Sequence, residues 1–239
     1  MARAGWTRRL TAVLGLALAW GTVAAAAPPE GAATGAAPVT LDPAAKPSRD
    51  LHLQLISQLR ESGRAHAALA HLDAYEREHP RDARAGLLRG DCLADIGDYA
   101  GAEKTYRRLL RTQQAADAYA GLGRVAGLQG RWSEAATQFG EAVKRAPISA
   151  RHLGDLGYAL LRAGDAAGAV FRLRQAAELA PGDARVRNNL ILALEAAGQH
   201  EAARRLLDQV RDPADRKALE EAREALRASG FQPNSSGAP

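Results

Sequence analysis

The sequence predicts an all-α fold, a solenoid of about five helix-turn-helix repeats closed by a C-terminal capping helix. The breaker glycines Gly63, Gly97, Gly130, Gly164 and Gly198 recur 34, 33, 34 and 34 residues apart. On either side of each one, apolar residues fall at three- and four-residue spacing, the period of one helix face. No stretch alternates apolar and polar residues as a half-buried strand would. A hairpin of this length cannot bury its own stripe, so stability must come from stacking on its neighbours.

The chain opens with a basic start (Arg3, Arg8, Arg9), an apolar run from Leu10 to Trp20, then small residues up to Ala27. Residues 1–27 therefore read as a secretory signal peptide, with cleavage after Ala26 fitting the small-x-small rule. The run is short of the roughly 20 apolar residues of a membrane span, although Leu10 to Ala27 is uncharged, and an uncleaved anchor is the alternative. Thr7-Arg8-Arg9-Leu10 is only weakly like a twin-arginine signal, and ordinary export is expected. The small-residue run holds no cysteine, so it offers no lipid attachment point. Residues 28–47 are rich in Ala, Pro and Gly and read as a flexible linker. Residues 230–239 read as a disordered tail.

The repeat block spans residues 48–229. Ser48 is a candidate N-cap ahead of Leu51, Leu55 and Leu59, expected on one buried face. Around Gly63 also come Ala68, Leu72, Tyr75 and Pro80; around Gly97, Gly90, Leu93, Tyr99, Ala102 and Tyr106. The third unit is the fullest. Tyr119, Leu122 and Gly123 precede Gly130, and Trp132, Ala135, Phe139, Ala142 and Pro147 follow it. Leu156-Gly157, Leu160, Ala169, Leu173, Ala176 and Pro181 repeat the pattern around Gly164, and it loosens to Leu190, Leu194, Ala203 and Leu207 around Gly198. Asp212-Pro213 then opens one more helix, acid at the cap and proline at the first helical place. Its Ala218, Leu219, Ala222 and Leu226 are expected inward, with Glu220, Glu221, Arg223 and Glu224 facing water.

This alternation of bulky and small residues resembles the tetratricopeptide repeat (TPR), whose period is 34 residues. The resemblance implies a TPR superhelical solenoid in which the first helix of each pair lines a concave wall that contacts a peptide or a partner helix. On that register the lining is Arg84, Leu87, Asp91, Asp117, Arg124, Arg151, Asp155, Tyr158, Arg162, Arg185, Asn188, Asn189 and Leu192. Such a mixed-charge groove can hydrogen-bond a peptide backbone and pair with charges of either sign. Asn188-Asn189 stands out because asparagine is a mediocre helix former and two together mid-helix have no propensity reason.

Other chemistries fare less well. The chain carries 32 Lys+Arg against 27 Asp+Glu, but residues 1–27 hold three arginines and no acid, leaving 29 against 27. A nearly neutral mature chain does not call for nucleic acid as a partner. Gly121, Gly123 and Gly127 mimic a dinucleotide-binding cluster but fall inside a helix in register with the repeat, where close helix packing is the expectation. One cysteine, Cys92, allows no internal disulfide, and it reads as a packed thiol rather than a nucleophile. His66 and His71 are five apart and share no helix face; His52, His152 and His200 read as isolated. No motif for a metal, a cofactor or catalysis is present, so a non-enzymatic role is expected. Membrane association is expected only through partners or an uncleaved N-terminus.

The run Asp183-Ala184-Arg185-Val186-Arg187-Asn188-Asn189-Leu190, with Ala193-Leu194 and Ala197-Gly198, resembles TadD-type proteins of the tight-adherence (Flp) pilus assembly system. So does Gly90-Asp91-Cys92-Leu93 with Tyr99, Ala102 and Tyr106. That likeness implies a periplasmic assembly factor for a pilus or secretion complex. Many such proteins are lipoproteins, and this chain departs from them in lacking the anchoring cysteine. The alternative role is a periplasmic chaperone or an accessory subunit of an envelope enzyme.

Overall fold

The computed structural model describes residues 48–228, and the segments read above as signal peptide, linker and tail lie outside them. Within these residues there are eleven helices and no strand: α1 (Arg49–Glu61), α2 (Ala65–Glu78), α3 (Ala83–Asp95), α4 (Tyr99–Leu109), α5 (Ala115–Leu128), α6 (Trp132–Arg145), α7 (Ala150–Arg162), α8 (Ala166–Leu179), α9 (Ala184–Ala196), α10 (His200–Leu207) and α11 (Pro213–Ala228). Consecutive helices pair into five antiparallel hairpins. The first helices also touch one another in series, α1 on α3, α3 on α5, α5 on α7, α7 on α9 and α9 on α11. They therefore form one continuous wall.

Each predicted break is a left-handed glycine, with φ between 72° and 92° at Gly63, Gly97, Gly130, Gly164 and Gly198. At every one the same two bonds close the helix end. The amide of Gly164 donates to Leu161 O and that of Asp165 to Leu160 O, and the other four breaks repeat this pair. This is the Schellman arrangement, which satisfies carbonyls the helix leaves unpaired and needs a residue free of a Cβ at the turn. At two of the breaks the residue after the glycine also caps the next helix by its side chain: Asp98 Oδ1 accepts from the Gly101 amide at 2.9 Å and Asp165 Oδ1 from the Gly168 amide at 2.8 Å, whereas Arg64, Arg131 and Gln199 make no such bond.

The core runs along the stack as linked clusters between hairpins. Ala135, Phe139 and Ala142 of α6 pack with Leu153, Leu156 and Ala159 of α7; Leu173 of α8 packs with Leu190 and Ala193 of α9. The glycines of the first helices receive bulky side chains from the second. A Cβ on Gly123 would lie 2.9 Å from the Phe139 ring, and one on Gly157 would lie 2.5 Å from Leu173. The Tyr106 ring is clamped on two sides, 2.5 Å from a Cβ on Gly90 and 2.4 Å from one on Gly121. The glycine cluster of α5 is thus a packing surface for Tyr106, Phe139 and Trp132, as its register implied.

Two expectations need correction. In α1 the core face carries Leu53 and Ile56, while Leu51 and Leu55 are 55% and 45% exposed and Leu59 is half-buried. The helix is apolar on two flanks, and α2 and α3 cover only one. In α11, Leu219 is buried as expected, but Ala218 is exposed and Arg223 turns inward, its side chain only 12% exposed. Arg223 Nε reaches Glu195 of α9 at 3.0 Å, an ion pair that holds the last helix to the stack.

Candidate functional site

The wall begins at α1 and α3 with a cluster of charge. Asp91 accepts from Arg60 at 2.7 Å, from the Tyr106 hydroxyl at 2.6 Å and from Arg124 at 2.8 Å. Arg124 also reaches Asp95 at 2.9 Å and donates to the Tyr106 hydroxyl at 3.2 Å. Its side chain is only 14% exposed. Tyr106 belongs to a second helix, and its hydroxyl arrives at the wall only because Gly90 and Gly121 leave a slot for the ring. Burial, and then the Asp91 charge, push the Tyr106 phenol well above its ordinary range, so it serves as a neutral donor. Burial works against the Arg124 charge, but Tyr106, Asp91 and Asp95 outweigh it and hold the guanidinium firmly protonated.

The same device recurs along the wall, each time between first helices of neighbouring repeats. Arg84 of α3 pairs with Asp50 of α1 at 2.6 Å and with its own N-cap Asp82. Arg151 of α7 pairs with Asp117 of α5, and His152 Nε2 lies 3.2 Å from the same Asp117 oxygen. Arg185 of α9 pairs at 2.7 Å with Asp155, which is buried in α7. Arg187 reaches Asp215 of α11 at 2.5 Å. Most of the charged residues expected to greet a partner are thus paired with one another.

The remaining expected residues present a different chemistry. Arg162 lies over the Trp132 ring at 4.1 Å and donates to the Tyr158 hydroxyl at 2.9 Å, and Tyr158 meets Trp132 edge-on at 5.7 Å. All three are half-buried, so the cation is stacked yet accessible. Asn188 and Asn189 are half-buried on α9, and Asn188 Oδ1 is a buried acceptor with no hydrogen-bond partner. Leu87 is half-buried and Leu192 is buried in the core, so Leu192 does not line the wall.

Sequence reasoning missed Arg60, Asp95, Tyr106 and His152. His152 is not isolated: it is 4% exposed, its Nε2 is 2.9 Å from Arg151, and its Nδ1 is buried without a hydrogen-bond partner. The signal was its place twelve residues before a break, where Ala85, Ala118 and Val186 are buried too. Cys92 is fully buried, and burial pushes its thiol up to about 11, the opposite of an activated nucleophile. Among the described residues no cluster of three or more His, Cys, Asp or Glu could hold a metal, and no helix is long and apolar enough to cross a membrane.

Comparison with known proteins agrees with this geometry. Tetratricopeptide repeat models match residues 53–120, 120–172 and 160–228. The chain is 33% identical over 193 residues to the TPR repeat-containing protein PA4299 of Pseudomonas aeruginosa, covering 80% of this chain and 76% of that protein. Among solved structures, TTC0263, a thermophilic TPR protein of Thermus thermophilus, superposes with a TM-score of 0.61 at 22% identity over 72% of this chain and 97% of that one. YrrB, described as a TPR protein with an unusual peptide-binding site, superposes with a TM-score of 0.53 at 20% identity over 72% and 90%. At such identities these structures speak to the fold alone.

Proposed function

Because the chain belongs to the tetratricopeptide repeat family, a fold of protein-protein adaptors, we propose that it is an exported, non-catalytic adaptor that helps assemble a tight-adherence pilus or a related secretion complex. The partner segment lies along the C-terminal half of the wall, against Tyr158, Arg162, Arg185, Asn188 and Asn189. The observation that carries this reading is the unpartnered Asn188 Oδ1 on a wall whose charges are otherwise paired. A buried acceptor left alone costs about 1–3 kcal/mol, and turning the half-buried Asn188 side chain outward to accept from a backbone amide of an extended guest would recover it. The envelope location is supported by the leader-like residues 1–27, and the pathway by the run Arg185 to Leu190.

Affinity-tagged full-length chain, expressed in cells that make the pilus, should co-purify with components of the assembly apparatus. The double variant Asn188→Ala, Asn189→Ala should recover them about tenfold less while keeping its helical circular dichroism. Equal recovery by both forms would reject the site, and recovery of an unfolded client or an envelope enzyme in place of pilus components would redirect the pathway.

A further inference from the structure

From α3 to α9, the charges carried by first helices answer one another. In α3, Arg84 pairs with Asp50, Arg89 with Asp73 and Glu76, and Asp91 and Asp95 with Arg124 of α5. Asp117 of α5 pairs with Arg151 of α7, and Asp155 of α7 with Arg185 of α9. Arg187 and Glu195 of α9 pair with Asp215 and Arg223 of α11. Arg162, the last residue of α7, is the exception: among the described residues two aromatic rings, and no carboxylate, answer its charge. We propose that Arg162 receives the side-chain carboxylate of an aspartate or glutamate of the guest, so that the wall selects an acidic segment, an inference that rests on the wall being a peptide groove.

Register explains why the chain itself supplies no acid there. Arg124 finds its acids on the first helix before it, at Asp91 and Asp95, six and two residues ahead of Gly97. On α5 the places six and two ahead of Gly130 hold Arg124 and Leu128. On α9 the places six and two ahead of Gly198 hold Leu192 and Ala196. Neither neighbouring first helix therefore carries a negative charge at the places that would answer Arg162.

The rings prepare the guanidinium for one kind of ligand. It lies over the Trp132 ring at 4.1 Å, one nitrogen donates to the Tyr158 hydroxyl at 2.9 Å, and Tyr158 is held edge-on to Trp132 at 5.7 Å. A planar cation held by its face keeps donors free along its edge, and a carboxylate can accept two parallel bonds from that edge. Because Trp132 and Tyr158 already fix the side chain, little of its freedom is lost on binding. Charge balance sets the ligand's charge. The other arginines of α7 and α9, Arg151, Arg185 and Arg187, already hold carboxylates, so one uncompensated cation matches the single charge of a carboxylate. A phosphate, at about −1.5 to −2, would be left partly unmatched. A basic guest would meet only carboxylates that an arginine already holds. The capacity for charges of either sign, read from the residue types alone, narrows to one sign once the pairs are known.

The test screens a library of random peptides, acetylated and amidated at their ends, against the purified full-length chain. Peptides selected by the wild type should share one position that is aspartate or glutamate. Arg162→Met should abolish that preference and weaken the best acidic peptide about tenfold. Arg162→Glu should select lysine or arginine at the same position, a reversal that a purely structural role for Arg162 would not produce. Asn188→Ala with Asn189→Ala should weaken the selected peptides but leave their acidic position in place. Circular dichroism should show all variants equally helical. Selected peptides with no acidic position, or a preference indifferent to Arg162→Glu, would overturn the carboxylate and leave the groove standing. A phosphoserine peptide bound more tightly than its aspartate counterpart would overturn it in favour of a phosphorylated guest, and a library from which nothing is selected would overturn carboxylate and groove together.

Discussion

Tyr106 shows how single residues set the geometry of the wall. Its ring passes between two helix backbones because Gly90 and Gly121 carry no Cβ, and its hydroxyl then holds Asp91 and Arg124 in place. Gly121→Ala would put a methyl 2.4 Å from that ring and is expected to destabilise by about 1–3 kcal/mol. Gly140 lies mid-helix, and a methyl added there would meet nothing within 4 Å, so Gly140→Ala should stabilise by about 0.5–1 kcal/mol. Urea unfolding of both variants measures the contrast, and equal effects would contradict the slot. Acid titration isolates Asp117. The hydrogen bond to His152, with Arg151 beside it, lowers its carboxyl pKa below the ordinary 3.8. A depressed carboxylate adds stability that is fully present above its unfolded pKa and is lost as pH falls through the folded one. The stability gap between wild type and Asp117→Asn should therefore hold at pH 5 and close progressively below about 3.8. A gap unchanged at pH 2 would contradict the pairing.

At the scale of the helix, phase was the most legible property and orientation the least. The five breaks, the cap at Ser48, and the small-for-large exchange of Gly123 and Phe139 all follow from local rules visible in the chain. The facing of α1 does not, because Leu51, Leu53, Leu55 and Ile56 offer two stripes and only the neighbours decide which is buried. Nor could the chain announce that Arg223 would turn inward, since its partner Glu195 lies 28 residues away on another helix. The core of α6 gives a direct check. Ala135 is wholly buried, so Ala135→Trp must push α6 from its neighbours, with an expected loss of about 1–3 kcal/mol or more. Trp132 is only half-buried, and Trp132→Ala should fall near the lower end of the usual cost, about 3 kcal/mol, while also freeing Arg162. Thermal denaturation distinguishes them from an unaffected helix, in which neither would move the midpoint.

For the whole molecule, the ion pairs couple one repeat to the next along the wall. Arg60 and Arg124 both hold Asp91 and Asp95, so α1, α3 and α5 share one cluster. Arg124→Met would leave Arg60 as the remaining cation against Asp91 and Asp95, which are partly exposed, and is expected to cost up to about 3 kcal/mol, the lower end of the penalty for removing one member of a buried pair. Unfolding should also become less cooperative as the first two repeats uncouple from the rest. The wall residues were legible as a set because they repeat in register, but their mutual pairing was not, since it depends on how far neighbouring helices are offset. Among the described residues that pairing runs the length of the wall, while three of the four buried side-chain polar atoms without a hydrogen-bond partner, His152 Nδ1, Arg187 Nε and Asn188 Oδ1, lie on α7 and α9. The measurement that tests this most directly is hydrogen exchange of the full-length chain with and without an assembly component recovered with it. Slowed exchange in α7 and α9, with α3 unchanged, is the expected result; protection confined to α3 and α5, or none anywhere on the wall, would contradict a guest held at Asn188 and Asn189.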